Sequence, residues 1–350
     1  MTTSPATQPS VGKRNFLDTT DLSPAELNRL LDLAARLKRG EVQHKDALAQ
    51  KVLAMVFLDP SLRTRTSFEV AMFLHGGHAV VLEPGRTSWA WETRKNVVMD
   101  GTTVEHIAEA ARVLGRYADA VALRAFPRGG TWTEEREDRI VRDFAEYCEK
   151  PVLNLESVRR HPCQGMADAL TLRERLASPQ GRRCVLMWSY HPKPLPTAVP
   201  VSAALAAVSQ GMNLTIAHPP GYELDPDDLT AVQSVASQTG GSVTHSHQLD
   251  ESLDGADVVY VKSWGALSHF GRPAEEAQLR AGCQDWRMTE ARSNRLRDGG
   301  FVMHCLPVRR NIEIDDAVLD GPRSAVVDEA ENRLHVQRAL LLDLVGNLAL

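Results

Sequence analysis

The chain has 350 residues, a formal net charge of −5 and 24% charged residues. That length is long for one core and comfortable for two domains, and a near-balanced charge gives no basic field for nucleic acid. Five cysteines, Cys148, Cys163, Cys184, Cys283 and Cys305, form no C-x-x-C pair. This argues against a disulfide framework or a zinc site and for a reducing cytoplasm. No apolar run approaches the roughly 20 residues of a membrane-spanning helix, so the expectation is a soluble, cytoplasmic protein without a membrane partner. Residues 1–14 open with Met1 to Gly12, rich in Ser, Thr and Pro. They are expected to be a disordered tail and not a signal peptide.

Ser23-Pro24-Ala25-Glu26 reads as a capping box with Pro at the first helical position. Leu27, Leu30, Leu31, Ala34 and Leu37 make an amphipathic stripe that ends near Gly40. Val52 to Leu58 is an apolar run of the kind that forms a buried parallel strand. After Ser61, the residues Phe68, Val70, Ala71 and Leu74 share a helical face, and Gly76-Gly77 stops it. A strand is expected over His78–Leu82, an irregular polar segment with Trp89 and Trp91 over 83–101, and a helix over Val104–Tyr117. Asp119–Arg124 and Pro151–Leu155 read as strands ending at Arg124 and Glu156, with a charged helix, Glu134–Tyr147, between them.

The pattern then restarts. His161–Leu176 reads as a helix that bridges two halves, followed by strands at Cys184–Trp188, Asn213–Ala217, Ser242–Thr244, Asp257–Lys262 and Phe301–Cys305. A last amphipathic run covers Glu329–Leu348. Alternating strands and helices predict an α/β protein of two doubly wound parallel-sheet domains with a cleft between them.

The stretch Ser61-Leu62-Arg63-Thr64-Arg65-Thr66-Ser67 stands where a strand hands over to a helix. Free N–H groups and the positive end of the helix dipole make such a place an anion site, and Arg63 and Arg65 can add forked bonds to a phosphate. Alone, the stretch reads first as a capped, solvated helix start. Two later motifs, His161-Pro162-Cys163-Gln164 and His304-Cys305-Leu306-Pro307, change the balance. Together, in this order and spacing, the three resemble the carbamoyltransferases that include aspartate and ornithine carbamoyltransferase, over nearly the whole chain from about Asn15.

The resemblance implies two domains, 15–158 joined by a returning C-terminal helix 329–350, and 159–328. The first would bind carbamoyl phosphate and the second the acceptor. It implies that Ser61, Arg63 and Thr64 hold the phosphate, that Leu62 and Arg333 are further carbamoyl-phosphate contacts, and that Arg124, besides suiting the phosphate, meets the carbonyl oxygen together with His161. Gln164 and the backbone carbonyls of Cys305 and Leu306 would hold the NH2 group. Trp89 matches a residue lent across a subunit boundary, so the working unit would be a homotrimer with shared sites. No metal and no cofactor is implied. Each residue also has a plainer reading: His161 a turn or core residue, Cys305 a buried hydrophobe or a nucleophile, Trp89 a packing aromatic.

At the acceptor end the chain lacks the Ser-Met-Gly loop of ordinary ornithine enzymes and has Lys262-Ser263-Trp264 instead. Lys262 suits an α-carboxylate, and nothing is left to read an α-ammonium. Val113-Leu114-Gly115-Arg116-Tyr117, Arg124-Ala125-Phe126-Pro127 and Lys262-Ser263-Trp264 are similar to the branch acting on N-acylated ornithine, with Glu156 and Leu306 as further acceptor contacts. At Val104 the acetylornithine enzymes carry Glu and the succinylornithine enzymes Pro, so Val104 is the candidate acyl-specificity residue, or else a core residue at a helix start. Glu331-Asn332-Arg333-Leu334-His335-Val336-Gln337 resembles the acetyl type, and His218-Pro219-Pro220-Gly221-Tyr222-Glu223-Leu224-Asp225-Pro226 the succinyl type. Acetyl is the primary expectation and succinyl the alternative. A silent ligand-binding relative would not need the full constellation, and a nicotinamide oxidoreductase would need a G-x-G-x-x-G after a strand, which is absent.

Overall fold

The computed structural model describes residues 13–346. Residues 1–12 of the expected tail and the last four of the expected C-terminal helix lie outside them. Arg14, placed with the tail, is held by ion pairs to Glu26 and Asp343, both at 3.0 Å.

The first half contains β1 (Val52–Phe57), β2 (His78–Leu82), β3 (Trp91–Glu92), β4 (Glu105–His106), β5 (Ala120–Arg124) and β6 (Val152–Glu156). The second contains β7 (Arg183–Trp188), β8 (Asn213–Ala217), β9 (Ser242–Ser246), β10 (Val258–Lys262) and β11 (Phe301–Met303). The helices are α1 (Pro24–Lys38), α2 (Leu62–Leu74), α3 (Ile107–Tyr117), α4 (Trp132–Glu135), α5 (Arg139–Tyr147) and α6 (Pro162–Leu176). They continue with α7 (Ala198–Ser209), α8 (Pro226–Thr239), α9 (Leu249–Leu253), α10 (Pro273–Ala281), α11 (Glu290–Ser293), α12 (Asp316–Leu319) and α13 (Val326–Leu344). None of the described helices is long and apolar enough to cross a membrane.

Two parallel sheets result, in the orders β2-β1-β5-β6 and β11-β10-β7-β8-β9. The central strands β5 and β10 are buried at every position, because helices cover both faces of a parallel sheet. The edge strands β2 and β9 alternate with solvent. In each sheet the chain reverses its direction of progress once, between β1 and β5 and between β7 and β10. Such a switch point opens a crevice at the carboxyl ends of the strands. Two helices tie the halves together. Cys163, Met166, Ala167 and Leu170 of α6 join the first core, while α6 also packs on α7. α13 returns from the second half and lays Val336, Ala339, Leu340 and Leu341 into the first core against α1, α2 and α6.

Three expected elements end differently. The helix expected over Glu134–Tyr147 breaks at Asp138, whose φ is 55°. The break lets the buried Asp138 carboxylate accept from Ser157 Oγ at 2.6 Å and Val158 N at 3.1 Å. The helix expected from Val104 starts at Ile107, because Glu105–His106 pairs with Trp91–Glu92 and the His106 ring caps it, Nδ1 accepting from Ala108 N at 3.1 Å. The strand expected to reach Cys305 stops at Met303, and the His304 N–H turns to Glu329 Oε2 at 2.9 Å.

Candidate active site

The two switch points face one cleft of about 640 Å³. From the first sheet, β1 delivers Ser61, Leu62, Arg63 and Thr64 at the start of α2. Ser61 Oγ caps that helix by accepting from Thr64 N at 3.3 Å, leaving the first N–H groups toward the cleft's end of the dipole. β5 ends at Arg124, whose guanidinium lies 4.4 Å from the Phe126 ring centre, and β6 ends at Glu156. Arg124 and Glu156 form a close ion pair. His161 and Gln164 sit at the N-terminus of α6. From the second sheet come Lys262 at the end of β10, and Cys305 and Leu306 after β11. α13 supplies Arg333.

Arg333 organises the phosphate end. Its guanidinium donates to Thr64 Oγ1 at 2.9 Å and to Gln164 Oε1 at 2.7 Å, and lies 3.4 Å from His161 Nε2. The Nε–H groups of both Arg124 and Arg333 are buried with no hydrogen-bond partner. Arg63 is half-buried and, among the described residues, forms no ion pair. Burial lowers its pKa, as it does that of Arg333, without making either neutral. Burial, followed by the charges of Arg333, Arg124 and Arg63, holds His161 well below the usual histidine range, so its imidazole is neutral. Its Nε2 is also 3.3 Å from Glu156 Oε2. A neutral imidazole here can donate to a carbonyl oxygen without acting as an acid.

The turn after β11 is held in an uncommon shape, with Leu306 at φ 56°. A non-glycine residue there costs roughly 1–3 kcal/mol and needs outside support. That support is His304, whose Nδ1 accepts from Leu306 N at 2.9 Å while Nε2 lies 3.4 Å from Glu313 Oε1. Among the described residues the carbonyls of Cys305 and Leu306 accept no hydrogen bond. Cys305 is buried and its thiol is pushed up to about 12 by burial, so it is no nucleophile at neutral pH.

Lys262 is 7% exposed and forms no ion pair among the described residues, which makes its ammonium a receptor awaiting an anion. Ser263 and Trp264, which follow it, are anchored in the second core. Trp264 is fully buried, its Nε1 donating to Tyr222 O at 2.8 Å, and Arg280 donates to Ser263 Oγ at 3.3 Å and Trp264 O at 3.1 Å.

Arg65, expected at the phosphate, faces away and pairs with Glu69 at 3.4 Å and Glu83 at 3.9 Å, because consecutive odd positions of a helix cannot share one face. Trp89 and Val104 do not line the cleft of their own chain; they are 59% and 70% exposed. Val104 is therefore not a core residue at a helix start. Leu62 lines the rim and is 79% exposed.

Three polar or charged cleft residues escaped the sequence reading. His191 lies three residues beyond the end of β7, so the strand-end rule could have found it. Its Nε2 accepts from Arg309 Nε at 2.9 Å and its Nδ1 lies 2.8 Å from Lys193 O. Arg309 and Glu313 lie in an irregular segment with no periodic signal. Glu313 is 2% exposed and accepts from Arg309 N at 2.9 Å. Burial would raise its carboxyl, but the His304 hydrogen bond, the nearby Lys262 charge and the Arg309 N–H outweigh it and bring it to about 2. The cleft thus holds the cations Arg63, Arg124, Lys262, Arg309 and Arg333 against the anions Glu156 and Glu313. It is a positively biased cleft, with one cationic cluster on each side, suited to an anionic ligand.

Comparison with known proteins gives the class. Two family models match: "Aspartate/ornithine carbamoyltransferase, carbamoyl-P binding domain" over residues 14–174, and "Aspartate/ornithine carbamoyltransferase, Asp/Orn binding domain" over residues 197–344. The chain belongs to the aspartate/ornithine carbamoyltransferase family. It is 49% identical over 337 residues to the N-acetylornithine carbamoyltransferase of Xanthomonas campestris pv. campestris, covering 95% of this chain and 98% of that one. A crystal structure of acetylornithine transcarbamylase complexed with acetylcitrulline superposes with a TM-score of 0.92 at 47% identity, covering 95% of this chain and 99% of the other. A mutant of N-acetyl-L-ornithine transcarbamylase with Val in place of one Glu, complexed with carbamyl phosphate and N-succinyl-L-norvaline, superposes with a TM-score of 0.91 at 47% identity and the same coverage.

Proposed function

We propose that the protein transfers the carbamoyl group of carbamoyl phosphate to the δ-amine of N2-acetyl-L-ornithine, giving N-acetylcitrulline and phosphate in arginine biosynthesis. The observation that carries this reading is the opposition, across one cleft, of the Arg63/Thr64/Arg124/Arg333 cluster and the unpaired Lys262. The first suits a phosphate dianion. The second suits a carboxylate, and the nearby Glu313 carboxylate is already engaged by His304 and the Arg309 N–H and not free for an α-ammonium.

In this reading Ser61, Leu62, Arg63, Thr64 and Arg333 surround the phosphate. Arg124 and His161 donate to the carbonyl oxygen as negative charge builds on it, and Gln164 with the Cys305 and Leu306 carbonyls accepts from the NH2. The neutral δ-amine forms the new C–N bond, the C–O bond to phosphate breaks, and the amine's surplus proton leaves with the phosphate. Glu156, bound to Arg124 in the free cleft, orients the amine once the carbonyl oxygen of carbamoyl phosphate takes over that arginine. Lys262, Leu306, His191 and Arg309 hold the acceptor's far end. Positioning and charge do the work, with no covalent enzyme intermediate.

Trp89 and Val104 act in the cleft of a neighbouring subunit, within a homotrimer. Exposed apolar side chains support this: Leu62, Phe73, Trp89, Val98 and Val104 are exposed by 59–83% on α2 and the segment after β2. The cytoplasm, where carbamoyl phosphate and free thiols persist, is the proposed location.

A second reading, N2-succinyl-L-ornithine as acceptor, rests on Val104. The acetylornithine pattern has Glu at this position, and the Glu-to-Val mutant of a relative was crystallised with N-succinyl-L-norvaline. The test is formation of citrulline-type product from carbamoyl phosphate with free, acetylated and succinylated ornithine as acceptors. Turnover of free ornithine alone would overturn both readings.

A further inference from the structure

Behind the cleft, two carboxylates point at one amide. Gln164, at 1% exposure, donates through Nε2 to Asp168 Oδ1 and to Glu329 Oε1, each at 2.8 Å. Asp168 is one helical turn further along α6, and Glu329 is on α13; both are fully enclosed, at 1% and 0% exposure. Glu329 also accepts from the Tyr260 hydroxyl at 3.1 Å and the His304 N–H at 2.9 Å. Among the described residues no lysine or arginine pairs with either acid, and Asp168 Oδ2 has no partner at all. Neither acid lines the cleft.

A buried, unneutralised carboxylate pair is costly, so its position calls for a role. A glutamine amide has a donor end and an acceptor end of nearly the same shape. Here both amide hydrogens are taken from behind, while Oε1 accepts from Arg333 at 2.7 Å on the cleft side. Turning the amide over would set its NH2 against the Arg333 guanidinium and its oxygen against whichever acid is ionised, with the three present hydrogen bonds lost. The cost of the pair is limited by a proton. Burial raises both acids, followed for Glu329 by the charge of Asp168; Asp168 comes to about 7 and Glu329 stands well above its usual range. Both shifts favour the neutral acid, so the pair sheds charge by holding a proton.

We propose that Asp168 and Glu329 are a positioning pair that locks the Gln164 amide with its oxygen toward the cleft, so that the site selects an acyl phosphate bearing an NH2 group over one bearing a methyl. This rests on the carbamoyl phosphate reading of the cleft. An oriented buried acceptor rejects an isostere that lacks the donor far better than a loose amide, which can turn away.

The experiment measures binding of carbamoyl phosphate and of acetyl phosphate, its methyl isostere, to the full-length protein by calorimetry. The wild type is expected to prefer carbamoyl phosphate by about tenfold or more. In Asp168→Leu the preference should shrink to less than about threefold through loss of carbamoyl phosphate affinity alone, acetyl phosphate binding being unchanged. Asp168→Asn, which keeps an acceptor oxygen, should restore the preference. A parallel loss of both affinities in Asp168→Leu would assign the pair a merely structural role and overturn the proposal, as would a preference left intact. A wild type without any preference would instead overturn the carbamoyl phosphate reading. Should Asp168→Leu fail to fold, a neutron structure of the wild type decides: deuterons of Gln164 Nε2 directed at Asp168 and Glu329 support the lock, and deuterons directed at the cleft sink it.

Discussion

Arg333 NH2 donates to Thr64 Oγ1 at 2.9 Å, across 269 residues of sequence. Through this bond the last helix of the chain reaches back to the first turn of α2, so the phosphate end of the cleft is complete only when α13 has docked. One guanidinium then spans Thr64, Gln164 and His161, and fixes the three with a single rigid fork.

Arg63 is a cation left open toward the phosphate end of the cleft. Arg63→Ala should abolish detectable turnover, since the lost ion pair to a desolvated phosphate is worth about 2–5 kcal/mol. Calorimetry with carbamoyl phosphate checks it, and near-normal affinity in the variant would move the phosphate site elsewhere.

Lys262 makes a contrasting prediction. Lys262→Met should raise the Michaelis constant of the acceptor far more than that of carbamoyl phosphate, because only the acceptor brings a carboxylate to it. Equal increases in steady-state kinetics would place Lys262 among the supports of the loop, together with Arg280.

Glu313 gives a pH dependence. Its carboxyl is lowered from the usual 4.5 to about 2, so the folded state favours the ionised form. The resulting stabilisation is present above about pH 4.5 and is lost as pH falls toward 2; for a 2% exposed group it is on the order of 3 kcal/mol. Glu313→Gln, which mimics the protonated acid, should lower the melting temperature at pH 7, and the gap to wild type should close on acidification. A gap constant from pH 7 to pH 3 would mean that shape, and not charge, is what Glu313 contributes.

Val104 tests the shared site and the acyl group together. In a trimer its 70% exposed side chain would face a neighbour's acyl pocket. Val104→Glu should then cut use of succinylornithine by roughly a hundredfold, a penalty of about 2.7 kcal/mol from apposed carboxylates. Acetylornithine, neutral at its acyl end, should lose little. Equal effects on the two acceptors, measured as kcat/KM, would remove Val104 from the pocket.

The sequence by itself determined the two parallel sheets, because unalternating apolar runs such as Val52–Phe57 and Val258–Lys262 are buried on both faces wherever they pair. It also determined the strand-end placement of Ser61, Arg63, Arg124 and Lys262, since the end of a strand is a local property of the chain. It missed what depends on separation in the chain. Arg65 looked equivalent to Arg63 until the helix turned it toward Glu69 and Glu83. Glu313 and Arg309 lie in a segment with no period, and only the docking of that segment against His304 and His191 brings them to the cleft. Asp168 and Glu329 are 161 positions apart and would each pass for a solvated helix acid. Burial of both against Gln164 was decided by the packing of α6 on α13, which no local pattern encodes.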